Sequence, residues 1–353
     1  MNLLLHHVDL ITRCLRRGDV EAAMIMAIGE ILQAAQIRFY KYFAPPGDRL
    51  VGLSIEAGAG DAAVRAHDDG FAWPAETGSI EKYPHLLACL DQSGLAIEEM
   101  PDGSVRTSLL VETSRHEPYA FIQIDRASPL TPDELDIAQG FIALLRNSLG
   151  MLDYSETDSL TRLLNRKTFD EYLMRILAII PNQDDAAMGA LHLPQRRHAC
   201  AMSEDHWLAV MDIDKFKSIN DRFGHLIGDE VLILMADLMR KNFRVQDKLF
   251  RFGGEEFVAL LRPAEYAHAQ AIFERFRRQV EAYAFPQVGH VTVSIGFTRI
   301  KFGDTPSVIL DSADEALYWA KEHGRNQCHA YETLVAEGKL QGHAAAQADV
   351  ELF

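Results

Sequence analysis

Cysteine is scarce and scattered: Cys14, Cys89, Cys200 and Cys328 are the chain's four, with no CxxC pair among them. That spacing excludes a zinc-ribbon site or a disulfide scaffold and fits a reducing compartment. Long apolar runs are also missing, since no stretch approaches the roughly 18 uninterrupted apolar residues of a membrane helix. Met1 to Arg17 has no signal-peptide pattern, so a cytoplasmic protein without a membrane partner is expected. Nor is there any excess of positive charge. With 51 acids against 35 lysines and arginines, the formal net charge is −16, which argues against nucleic acid as a partner. So acidic a chain can still take a nucleoside triphosphate, given a few well-placed cations and a divalent metal.

The 353 residues, 48% of them hydrophobic, suit two domains of roughly 150 to 180 residues. Residues 1–150 read as helix, strands, helix. Leu3 to Ala35 has helical spacing with a break expected at Gly18-Asp19. Ile37 to Phe43 and Leu50 to Ile55 read as strands around a Pro45-Pro46-Gly47-Asp48 turn. After an irregular middle, Thr107 to Glu112 and Tyr119 to Asp125 form a second pair, and Thr131-Pro132-Asp133-Glu134 opens a helix. That helix carries a seam at Leu135, Ala138, Ile142, Leu145, Leu149 and Leu152. The spacing fits either a face packed on its own domain or, the favoured reading, a parallel coiled-coil stalk over 135–157. The layout as a whole resembles a GAF sensory domain, an α+β fold. His6, His7 and His116 read as surface polar residues.

The second half, 155–331, alternates helices and strands with one hairpin, which indicates an α/β fold with a mixed central sheet and flanking helices. A helix is expected over Thr168 to Ile180, then a polar stretch, 181–206, and a buried strand Leu208 to Ile213. A helix from Glu230 to Phe243, a hairpin turning at Gly253-Gly254, a helix from Ala264 to Tyr283, a strand Val291 to Phe297 and a helix Ser307 to His323 follow. Residues 332–353 read as a flexible tail.

The chemistry concentrates in two places. Asp212-Ile213-Asp214 ends a strand, where α/β folds place their ligands. Gly253-Gly254-Glu255-Glu256 is a hairpin turn followed by two acids that repel each other unless a cation intervenes. If the hairpin lies beside the Asp212 strand, three carboxylates converge, as two-metal phosphoryl transfer requires. Taken alone, the Gly-Gly-Glu-Glu run reads equally well as a solvated turn.

These segments belong to a longer ordered set. Asp158-Ser159-Leu160-Thr161 with Leu163, Asn165 and Arg166 comes first, then Asp212 to Asp221 with Phe216, Lys217 and Asn220. Gly224-His225 and Gly228-Asp229 follow, then Arg251 to Phe257. Ala313-Asp314-Glu315-Ala316-Leu317-Tyr318, Ala320-Lys321 and Gly324-Arg325-Asn326 close the set. Together they resemble the GGDEF family, the diguanylate cyclases, with Glu255 in the variable place. The resemblance implies condensation of two GTP into cyclic di-GMP by a homodimer, with two Mg²⁺ or Mn²⁺ per active site.

It also implies roles. Asp212, Glu255 and Glu256 are the catalytic acids and metal ligands, with the Ile213 carbonyl as a further oxygen. Asn220 and Asp229 read guanine; Asp229 also reads as an N-cap for a helix starting at Glu230. Lys217, Lys321 and Arg325 hold the triphosphate, the last two expected on one helix face. Phe216 is counted with this substrate-binding set, although its side chain reads more simply as core. Arg244 and Asp247, an RxxD with Arg244 nine residues before Gly253, resemble an inhibitory product site. The alternative is a GGDEF-like scaffold that binds nucleotide without turnover.

Overall fold

The computed structural model describes residues 2–14, 16–44, 47–58, 65–66, 77–92, 94–180, 205–244 and 246–342. The polar stretch expected over 181–206 therefore lies almost wholly outside the described residues. The chain divides into two compact units, Met1–Ser155 and Glu156–Phe353.

Unit 1 opens with helices α1 (Asn2–Arg13) and α2 (Arg17–Ile31). The break thus precedes the Gly18-Asp19 pair, and Gly18 sits inside α2. Among the described residues seven strands follow: β1 (Gln36–Phe43), β2 (Leu50–Gly58), β3 (Arg65–Ala66), β4 (Gly78–Ser79), β5 (Leu95–Glu99), β6 (Val105–Glu112) and β7 (Pro118–Arg126). They form an antiparallel sheet in the order β3-β2-β1-β7-β6-β5, with β4 pairing β2. Helix α3 (Pro84–Asp91) lies in the middle that had read as irregular, and α4 (Pro132–Glu156) closes the unit. One sheet face packs Phe39 and Ile122 against Met24 and Ile28 of α2 and Leu145 of α4; the other packs Tyr40 and Phe121 with Leu86 and Cys89 of α3.

The α4 seam packs on its own unit, one of the two readings that its spacing allows. Ala138, Phe141, Leu145 and Leu149 are buried in the unit's own core, and Leu135, Ile142 and Leu152 pack partly against it. Of the three histidines, His7 is not a surface residue: it is buried, its Nε2 2.9 Å from Glu30 Oε2.

Unit 2 is built on a mixed sheet in the order β15-β14-β9-β11-β10-β8, using β8 (Leu164–Asn165), β9 (Asp205–Ile213), β10 (Lys248–Gly253), β11 (Glu256–Ala264), β14 (Val293–Ile300) and β15 (Cys328–Ala330). A small ribbon, β12 (Ala284–Phe285) and β13 (Gly289–His290), stands apart. Strand β9 is antiparallel to both its neighbours, β11 and β14. Its inner run, Trp207 to Ile213, is continuously buried, as a central strand covered on both faces must be. The helices are α5 (Arg166–Ile179), α6 (Phe216–Phe223), α7 (His225–Asn242), α8 (Tyr266–Ala282), α9 (Pro306–Glu322) and α10 (Tyr331–Ala336). Met211, Phe257 and Ile295 of the sheet meet Met235 of α7 and Phe273 and Phe276 of α8 in one core.

Three boundaries differ from expectation. Helix α6 was not foreseen, and α7 starts at His225 after Gly224, so Asp229 lies inside the helix rather than capping it. The stretch after Tyr331 begins as α10, with Tyr331 and Leu334 buried against Ala316; residues 343–353 lie outside the described part.

Helix α9 starts at Thr305, whose side chain accepts from the Val308 amide, with Pro306 in its first turn,. It lies so close to β14 that a Cβ on Gly296 would overlap backbone atoms of Ala313, Ala316 and Leu317. Gly296→Ala must push the helix off the sheet, at a cost of about 3 kcal/mol. Calorimetry should show unit 2 melting roughly 6–12 °C lower, and an unchanged melting temperature would show that α9 does not need this approach.

Candidate active site

The C-terminal end of β9 places Asp212 between two neighbours, opposite Glu256 on β11 and Ser294 on β14. The hairpin turn is one residue later than expected. Gly253 pairs with Glu256, so Gly254 and Glu255 form its two-residue loop. Gly254, the first loop position, has φ 51°, the positive value such a two-residue loop needs there, and Gly253 before it has φ 145°,. Glu255 is therefore at the tip and Glu256 at the root of β11, beside Asp212.

Asp212 is buried, and its Oδ2 lies 2.8 Å from Lys321 Nζ of α9. Burial raises its pKa above the ordinary carboxylate value; Lys321 works against that rise, and Glu255 and Glu256 add to it. A fourth carboxyl, Asp314, is raised by desolvation and then by Glu256. It stands seven residues before Lys321, two turns earlier on the same face of α9. Sequence reasoning placed Asp314 in a motif but gave it no role; that spacing was the available signal.

A divalent cation fits this donor chemistry. The acids offer hard oxygens, their mutual repulsion favours a positive charge, and a lysine ammonium now supplies one. Among the described residues, however, no three His, Cys, Asp or Glu side chains stand close enough to hold a metal by themselves. The buried Ile213 ends β9 next to Asp212.

The turn is held from behind. Arg251 donates from Nε and Nη2 to the Gly254 carbonyl at 3.2 and 2.9 Å, while its Nη1 lies 2.9 Å from Asp158 Oδ1. Asp158 Oδ1 also accepts from the Thr161 amide and hydroxyl. Burial works to raise the Asp158 carboxyl, but Thr161 and Arg251 outweigh it and hold it below its usual range. The Asp158-to-Thr161 segment thus positions Glu255 through Arg251. Asp214 is similarly occupied, accepting from Thr292 Oγ1 and Ser294 Oγ at 2.7 Å each and from the Asn326 amide at 3.0 Å.

Helix α6 begins after Lys215, which has φ 59° and gives no side-chain cap. This is an N-terminus without a side-chain cap, of the kind that can receive an anion, although the Ser218 amide donates to the Lys215 carbonyl at 2.8 Å. Phe216 is buried, as its core reading required, so this position offers backbone rather than side chain; Lys217 is exposed. Asn220 packs against Gly228 of α7, where a Cβ would overlap its Oδ1. That oxygen is buried without a partner, and Asp229 follows directly on α7. Lys321 and Arg325 do not share a helix face: α9 ends at Glu322, and Arg325 lies past Gly324 in a left-handed turn with φ 62°.

At the RxxD, Asp247 is buried and accepts from the Arg244 amide at 2.9 Å and the Arg262 amide at 3.3 Å. Burial raises its pKa, and these amides oppose the rise. The Arg244 side chain is exposed and makes no hydrogen bond or ion pair among the described residues.

With this geometry in hand, comparison identifies the domain. Residues 191–327 match the family described as Diguanylate cyclase, GGDEF domain. The second unit carries a GGDEF domain. Diguanylate cyclase DgcP of Pseudomonas aeruginosa is 38% identical over 174 residues, 48% of this chain and 23% of that protein. Response regulator PleD of Caulobacter vibrioides is 35% identical over 212 residues, 56% of this chain and 42% of that one. The solved GGDEF domain of DgcB from Caulobacter crescentus, in complex with c-di-GMP, is 32% identical and covers 50% of this chain and 96% of its own, with a TM-score of 0.42. Several relatives are thus named diguanylate cyclases, and the chain spans less than half the length of each of these curated proteins. No helix among the described residues is long and apolar enough to cross a membrane.

The two RxxD residues separate by experiment. Asp247→Ala orphans two backbone amides and should cost about 2 kcal/mol, whereas Arg244→Ala on the surface should stay within about 0.5 kcal/mol. Chemical denaturation of both variants checks this; equal stabilities would remove Asp247 from its holding role.

Proposed function

We propose that the chain is a diguanylate cyclase that condenses two GTP into cyclic di-GMP and two pyrophosphates across a homodimer. The observation that carries this reading is Asp212 at the end of β9, set opposite Glu256 and beside the Glu255 turn, with Lys321 on its carboxylate. Asp212, the Ile213 carbonyl, Glu255 and Glu256 are the residues to hold two Mg²⁺ or Mn²⁺ ions. When bound, such ions lower the pKa of the attacking hydroxyl and offset charge gathering on the phosphate.

Asn220 and Asp229 read guanine, whose N1–H and 2-amino group suit a carboxylate acceptor and are not matched by adenine. The α6 amides, Lys217, Lys321 and Arg325 hold the triphosphate, and Lys321 moves from Asp212 to phosphate as the cations arrive. In each half-reaction a 3′-oxygen bonds to the partner's α-phosphorus. The bond from that phosphorus to the bridging oxygen breaks, its electron pair leaves with pyrophosphate, and the hydroxyl proton passes to solvent. One GTP per domain makes two facing protomers a demand of the chemistry. Unit 1, GAF-like in layout, serves as the regulatory domain. Arg244 supplies the product-inhibition contact through a bidentate bond to guanine, with Asp247 holding its backbone.

The test is incubation of the full chain with GTP and Mg²⁺, with the product identified by mass spectrometry. Glu255→Gln keeps size and turn while removing the charge, so cyclic di-GMP formation should fall by about 10²-fold or more with the melting temperature kept. Near-normal turnover by this folded variant would contradict the assignment.

A further inference from the structure

A concavity opens along the Ser218 and Arg222 side of α6. It measures about 470 Å³, and its wall includes Lys215, Ser218 and Arg222 of the α6 segment, His290 of β13, Thr292, and Arg325. Ser218 and Arg222 are four apart and share one side of α6, whereas Asn220, between them, points away. This space is therefore distinct from the Asn220–Gly228 contact and shares only Arg325 with the candidate triphosphate side chains.

Its charge runs against that of the chain. The chain's net charge is −16, yet three cations border this pocket, and among the described residues none of them pairs with an acid. Arg222 rests only over its neighbour Phe223, 4.9 Å from the ring centroid. Asp214, the one acid in the wall, has both carboxylate oxygens taken by Thr292, Ser294 and the Asn326 amide. Its single charge is outnumbered three to one by the cations, and its hydrogen bonds tie the end of β9 to the loop carrying Arg325. Lys215, Arg325 and Asn326 all hold left-handed backbone, at φ 59°, 62° and 48°, so two of the cations are carried on constrained turns rather than free arms. Unpaired cations and hydroxyls around a small concave space bind multiply charged oxyanions, and guanidinium grips them bidentately.

We propose that this pocket is a pyrophosphate subsite, with Arg222 as its main anchor, that receives the leaving group after it separates from the nucleotide. The proposal rests on the reading that the domain releases pyrophosphate. Arg325, shared by both spaces, hands the diphosphate from the triphosphate position into the pocket, where it delays the next GTP. Accumulated pyrophosphate then slows turnover through a site that neither guanine nor cyclic di-GMP occupies.

The test titrates metal-free pyrophosphate, in chelator, into the nucleotide-free full chain by calorimetry. Wild type should bind pyrophosphate at least about tenfold tighter than orthophosphate. Arg222→Gln should weaken it at least about tenfold, and Arg222→Lys, charged but without the fork, should fall between. Arg222 is exposed and unpaired, so melting curves should match wild type. With GTP as substrate, Arg222→Gln should keep the initial rate but need at least about tenfold more pyrophosphate for half-inhibition. Equal pyrophosphate binding by wild type and Arg222→Gln, no binding to wild type at millimolar concentration, or equal affinity for orthophosphate would each overturn the subsite. Arg222-dependent pyrophosphate binding in a chain that makes no cyclic di-GMP would support the subsite while removing the proposed activity.

Discussion

One buried carboxylate organises the second unit. Asp212 ends the central strand with little access to water and with Glu255 and Glu256 nearby, so ionising it is unfavourable. Its pKa is raised for that reason, first by burial and then by those acids, against the pull of Lys321. A carboxyl raised in this way contributes stability below its unfolded pKa and loses that contribution as pH rises through the folded value. Above that folded value the charged Asp212 is a cost to the fold,. Strain of this kind persists where function needs it and the surroundings are strong enough to hold it.

Much of the rest of the domain supplies that strength. The Gly296 contact lets α9 lie near the sheet and bring Lys321 within 2.8 Å of Asp212. Asp158 holds Arg251, and Arg251 holds the Gly254 carbonyl, so Glu255 stays at the hairpin tip. Asp214 pins the strand end to the Arg325 loop, and Asp247 caps the approach to the hairpin. In the proposed reaction Gly296, Asp158, Arg251, Asp214 and Asp247 touch no reacting atom. Their motif positions reflect how tightly the backbone must be held around a cluster that repels itself.

The sequence made some of this legible and hid the rest for physical reasons. Alternating and buried runs such as Leu208 to Ile213 announce strands, and the mixed α/β class follows from their order. Helix α6 was missed because its eight residues carry only two buried positions, Phe216 and Ile219, too few to set a helical period. The hairpin register was off by one because Gly253 and Gly254 both tolerate positive φ, and composition cannot choose between them. The α4 seam has the spacing of a coiled coil, yet identical spacing serves a helix packed on its own sheet. Spacing alone does not name the tertiary partners that bury the inner side of the seam, among them Phe39 and Ile122. Lys321 and Arg325 share a helical spacing that Gly324 ends. Asp212 and the two glutamates stood out because charge at a strand end and at a glycine turn has few structural uses.

If Asp212 and its neighbouring glutamates form a cation site, Lys321 stands in for the ion in the metal-free protein. The most direct test is Mn²⁺ binding to the nucleotide-free full chain, followed by electron paramagnetic resonance of the free ion. Wild type is predicted to bind saturably, and Asp212→Asn to bind at least about tenfold more weakly. That variant should melt no lower than wild type in metal-free buffer, because the buried charge is gone. Equal Mn²⁺ binding by the two proteins would contradict the cation site.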